Sequence, residues 1–154
     1  MARIGLFAKG LVILSATMAL AQTGGSRIVI RHQAPTDRAL DFPLAMLQAE
    51  FADMKTQKRL TTRMLEGGTY SLNARYLAGS EAAQVHKSIT EFYFIREGTA
   101  TLVTGGTITD KAITGGVERA VKPGDVIFIP PGVPHAIRDT TGISYLNVHF
   151  GGTD

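Results

Sequence analysis

The segment PGDVIFIPPGVPHAIRD, Pro123 to Asp139, places four prolines in a run otherwise made of strand-forming residues. Each proline removes a backbone donor and fixes φ, so no central strand can pass through Pro130-Pro131-Gly132 and Pro134. The chain must stop, turn and restart at His135. Similar punctuation runs through the second half of the sequence. TYSLNARYL alternates, with Tyr70, Leu72, Ala74 and Tyr76 on one side and Asn73 and Arg75 on the other. TEFYFIRE and TATLVT meet across Glu97-Gly98, and GGTIT follows Gly105-Gly106. VERAV ends at Lys122-Pro123-Gly124-Asp125, where proline then glycine suit a type II turn before DVIFIP begins. HAIRD and ISYLNVHF are parted by Thr141-Gly142. Short strands with glycine turns at this spacing predict an all-β sandwich or small barrel from Gly67 to the end.

Before Gly67 the signals differ. Residues 1–21 have a positive start at Arg3 and Lys9, a nearly uncharged run from Gly10 to Leu20, and Ala19-Leu20-Ala21 as a cleavage signal. The run is shorter than the ~20 residues of a membrane span, which predicts a secretory signal and no stable membrane anchor. The mature chain is then expected in the periplasm or secreted, with cleavage near Ala21. Two of the 16 lysines and arginines lie in this segment, leaving 14 against 13 acidic residues. No basic cluster survives to suggest a nucleic-acid partner. Residues 22–66 form the next unit. SRIVIRH predicts a short strand, while Leu44, Leu47, Phe51 and Met54 behind Pro43 fit either a short helix or an irregular arm over a sheet. Residues 67–154 are the barrel domain.

The chain has no cysteine, so any metal must be held by imidazole, carboxylate, amide or water. HKSITEFYFIREG spaces His86 five residues before Glu91 and Glu91 seven before Gly98. GDVIFIPPGVPH spaces Gly124 six before Pro130, Gly132 two further on, and His135 three after that. Glu91 either opens its strand as an exposed carboxylate or shares an inward face with Tyr93 and Ile95, where it needs a cation or donors. His149 shares a parity with Tyr145 and Asn147. The opposite set, Leu146, Val148 and Phe150, is expected in the core, leaving His149 facing either cavity or solvent. His32 has no partner that the sequence identifies.

The two spaced segments resemble the paired motifs of the cupin family, small jelly-roll β-barrels also described as double-stranded β-helices. The resemblance spans about Gly67 to Phe150 and implies a cupin barrel with a short N-terminal arm. It implies that His86, His135 and Glu91 bind a divalent metal such as Fe, Mn, Ni, Zn or Cu, with open positions for water or substrate. Two departures are visible. Gln84 stands where cupins usually have a first histidine, offering an amide oxygen as a weaker fourth ligand or a hydrogen bond to bound water. Asp139 stands where an asparagine is common. Glu91 is a candidate ligand or general base, and Tyr93 a candidate catalytic hydroxyl or a packed core residue. Arg75, Tyr76 and His149 are candidate substrate contacts, with a solvated strand arginine the plainer reading of Arg75. The resemblance permits a dioxygenase, isomerase or lyase acting on a small molecule, or a non-catalytic binding module. It also implies a homodimer, with SRIVIRH and the Leu44–Met54 arm as candidate elements against a second copy.

Overall fold

The computed structural model describes residues 28–152, and residues 1–21, read above as a secretory signal, lie outside them. Among the described residues, eleven strands and one helix follow one another. Strands β1 (Val29–Gln33), β2 (Thr61–Glu66), β3 (Tyr70–Leu77), β4 (Ile89–Glu97), β9 (Val126–Ile129) and β11 (Ile143–Gly151) form one sheet, in the order β1-β2-β3-β11-β4-β9. Strands β5 (Ala100–Thr104), β8 (Val117–Val121) and β10 (His135–Arg138) form a second, ordered β10-β5-β8. A small hairpin joins β6 (Thr107–Thr109) to β7 (Ala112–Thr114). This is an all-β jelly roll, the barrel that the strand pattern and the cupin resemblance together lead one to expect.

The turns are where glycine and proline placed them. The Asp125 N–H bonds the Lys122 carbonyl at 3.1 Å with Gly124 at φ +96°, the backbone a type II turn requires of its third residue. Gly98 is needed for space as well as for its positive φ, because a Cβ there would lie 1.9 Å from the Gly142 carbonyl oxygen. Asp139 has φ +54°, a left-handed conformation that asparagine and aspartate tolerate better than most side chains. The departure from asparagine there keeps the backbone requirement.

Two apolar clusters hold the molecule. The first fills the barrel between the sheets and includes Leu77, Ile95, Leu102, Ile127, Ile137, Ile143 and Tyr145. The second lies outside, where helix α1 (Leu44–Gln57) packs Leu47, Phe51 and Met54 onto Met64 and Ala74 of β2 and β3. Leu44 is exposed, so the helix buries a narrower stripe than its spacing suggests. Glu50 anchors the helix through Arg31 of β1 at 2.9 Å and Arg59 at 3.3 Å.

Two sequence expectations are corrected here. The segment before Gly67 ends in a full strand, β2, paired antiparallel with β3, and β1 pairs in parallel with β2. β1 and α1, the elements expected to meet a second copy, each also pack within the chain. On β11 the parity is right but the direction is reversed. Tyr145 and Asn147 are buried in the barrel, while Leu146 packs under α1 and Phe150 is exposed. The outer face of the sheet is apolar here, because α1 covers part of it and Phe92, Phe128 and Phe150 gather on the rest. No helix among the described residues is long and apolar enough to cross a membrane.

Candidate metal centre

Strand register assembles the site. Glu91 on β4 stands opposite His149 on β11 and Ile129 on β9, and His149 stands opposite Ser71 on β3. The next inward row along the sheet is Asn73, Asn147, Tyr93 and Ile127. His135 arrives from the second sheet, at the first position of β10.

The prolines between Ile129 and His135 explain how it arrives. Gly132, at φ +79°, donates its N–H to the His86 carbonyl at 2.7 Å. Gln84 and His135 exchange both backbone hydrogen bonds at 2.9 Å. The stiffened turn is therefore fastened to the segment carrying the first half-motif, and the two histidines are held together by backbone rather than by side-chain choice.

His86, Glu91 and His135 form a cluster whose ligand atoms all lie within 4.8 Å of one another. His135 Nε2 is 3.0 Å from Glu91 Oε2, and His86 Nε2 is 4.0 Å from the same oxygen. The Val133 carbonyl accepts from His135 Nδ1 at 3.0 Å, which keeps a proton on that nitrogen and turns Nε2 toward the carboxylate. The close approach of Nε2 and Oε2 lacks the direction of a hydrogen bond, and both atoms are buried without a hydrogen-bond partner. A buried carboxylate oxygen facing an imidazole nitrogen in this way needs a cation between them, or a proton on the nitrogen. Two donors about 2.1 Å from one metal at right angles lie about 3 Å apart, so the residues fit a divalent ion.

The other carboxylate oxygen is held separately. Asn147 Nδ2 donates to Glu91 Oε1 at 2.8 Å, and His149 Nε2 lies 2.9 Å from it. Burial opposes the Glu91 charge, yet the contacts from His135, His149 and Asn147 outweigh it and hold the carboxyl well below its usual range. Burial likewise pushes the His135 imidazole down, but Glu91 and the Val133 carbonyl prevail and raise it.

The remaining candidates divide. Arg75 faces the barrel, not solvent, and bonds Tyr145, Thr61 and Glu81, the last at 2.8 Å. Gln84 lies outside the cluster, because its side-chain amide donates to Glu81 at 3.0 Å. Tyr93 lies beneath the site with its ring edge-on to His135, and burial raises its hydroxyl so that it keeps its proton. Tyr76 is a correction. It points out of the barrel into the cluster under α1, with Lys55 over its ring, so it cannot line the cavity. His149 faces the cavity, which resolves its alternatives. Sequence reasoning misses Asn147 and Glu81. Asn147 shares its parity with Tyr145 and His149, and that is the signal available for finding it.

A cavity of about 160 Å³ adjoins the cluster, lined by Glu91, His86, His149, Arg63, Arg75 and Tyr93 among others. A second depression of about 260 Å³ shares Arg63, His86 and His149 with it.

Comparison with known proteins agrees with this architecture. The family model for the cupin domain matches residues 76–149, and these residues form a cupin domain. A Bacillus halodurans protein superposes with a TM-score of 0.59 at 14% identity, covering 77% of this chain and 86% of its own. A Neisseria meningitidis protein gives 0.53 at 17% identity, over 68% and 96%. Hydroquinone 1,2-dioxygenase from a Sphingomonas species gives 0.51 at 12% identity, over 61% and 66%. At these identities the likeness is one of fold. No curated protein matches the chain.

Proposed function

We propose that this chain is an exported, metal-dependent cupin that binds a divalent cation through His86, Glu91 and His135 and acts on a small molecule in the adjoining cavity. The observation that carries the proposal is the pair of buried, unpartnered atoms, His135 Nε2 and Glu91 Oε2, facing each other at 3.0 Å. A bound cation satisfies both. It would polarise a ligand oxygen as a Lewis acid, or exchange electrons if it is a redox metal, which suits dioxygenase, isomerase or lyase chemistry. Glu91 serves as ligand rather than base, since its environment favours the ionised form so strongly. Tyr93 can donate a hydrogen bond but holds its proton too firmly to act as a base. Arg75 and Arg63 give the cavity polar walls, which favours a small ligand with oxygen functions.

Export rests on the pattern of residues 1–21. One experiment tests location and metal together: isolation from the native compartment, N-terminal sequencing and elemental analysis. The expected result is a chain starting near Gln22 with about one divalent ion bound. The metal proposal fails if the protein takes up none of Fe, Mn, Ni, Zn or Cu in excess and His86→Ala changes nothing. A non-catalytic binding module is the second reading, favoured by the diversion of Gln84 to Glu81. It predicts the same metal content with ligand binding but no turnover.

A further inference from the structure

We infer that His149, from the last strand and outside both half-motifs, supplies a third imidazole to the metal centre in the place that Gln84 leaves unfilled. The inference rests on the metal-binding reading above and adds a ligand to it.

Gln84 is poorly placed to serve. Its amide nitrogen is committed to Glu81, and its backbone is pinned on both sides by His135. Swinging the side chain into the cluster would leave the buried Glu81 carboxylate with one partner fewer. Glu81 Oε1 already lacks a hydrogen bond, so that loss falls on a carboxylate with little to spare.

His149 is placed well. Register sets it directly across from Glu91, and its Nε2 is 2.9 Å from Glu91 Oε1. Its ring centroid is 5.8 Å from that of His86, close to the 5.6 Å between His86 and His135. Three imidazoles therefore flank one carboxylate, with His135 and His149 on its two oxygens. His86 and His149 line the same cavity and are equally exposed, at 24% of the side chain each. Glu91 Oε1 also has a donor in Asn147 at 2.8 Å, so it keeps a hydrogen bond when His149 turns to a metal.

The chemistry of the exchange is favourable. A neutral imidazole is a better donor than an amide oxygen to borderline ions such as Fe, Co, Ni, Cu or Zn. Three imidazoles with one carboxylate therefore select such ions over Mg or Ca, which prefer oxygen.

The test counts nitrogen ligands. Purified protein loaded with Cu(II) or Co(II) is examined by pulsed electron paramagnetic resonance or X-ray absorption, with affinity measured by titration. Three imidazoles are expected in the wild type and two in His149→Ala and in His149→Gln, which keeps the bulk. Affinity should fall more than 100-fold in both, beyond the 10–100-fold typical of losing an outer partner. Adding Gln84→His to His149→Ala should return the count to three. Two imidazoles in the wild type and in both variants would overturn the inference while leaving the metal centre standing, with His149 only a donor to Glu91. No metal uptake by the wild type would instead sink the reading beneath it.

Discussion

The two ends of the barrel interior share strands, and each centres on a side chain sealed from water, yet they do opposite things. Ile95 and Glu91 sit on one face of β4 and are each 2% exposed. Around Ile95 gather Leu102, Ile127, Ile137 and Ile143, whose burial stabilises the fold at about 25 cal/mol per Å² of apolar surface removed from water. Around Glu91 gather His135, His149 and Asn147, and burial there is costly unless each charge finds a partner. Tyr93 and Tyr145 mark the boundary, their rings 4.8 Å apart and Tyr145 accepting from Arg75. The apolar end is where stability is concentrated, and the polar end is where a ligand can offset the cost of burial.

That contrast can be broken at either end. At the apolar end, Leu102→Ala should cost about 2–5 kcal/mol of stability, because a fully packed side chain leaves a cavity. Denaturant unfolding measures this, and metal affinity should stay within a few fold. If affinity collapses with stability, the two ends are not separable. At the polar end, Glu91→Gln keeps the shape and removes the charge. Metal affinity should fall by at least about 100-fold, more than an outer partner costs. Retention of tight binding would show that the carboxylate is not a ligand.

The smallest effect is the dependence of the metal-free protein on pH. Glu91 is depressed below its ordinary value of 4.5, so its contribution is present above that value and fades as pH falls through its folded value. His135 is raised above 6.5, so its contribution is present below 6.5 and is lost as pH rises through its folded value. The pair therefore stabilises most between 4.5 and 6.5. Thermal unfolding of wild type and His135→Ala should differ most in that window and converge above it. Metal affinity should run the other way, weakening as acid protonates His135. A difference that grows toward alkaline pH would contradict the pairing.

Much of the fold and of the site is legible in the amino-acid sequence. Turn chemistry at Pro123-Gly124 and at Pro130 to Pro134, and the spacing within each half-motif, depend on local residue type and distance along the chain, while the cupin resemblance joins His135 to His86 and Glu91. Such features survive folding because they are short-range. Strand β2 is not legible, because TTRMLE lacks a turn signal separating it from the helix before it. A cavity-facing Tyr76 follows from parity alone, and fails because parity assigns two faces without saying which is inside.

The sequence by itself determined most of the barrel strands, the turns and the membership of each strand face, and its resemblance to cupins supplied His86 and His135 as partners of Glu91. Only the tertiary structure decided which face turned inward. Helix α1, by covering the outer side of β2 and β3, made an apolar outer face stable and left Asn147 and His149 to fill the barrel. Only the tertiary structure, too, turned Gln84 toward Glu81. Alternation is a property of one strand, whereas inside and outside depend on what packs against it.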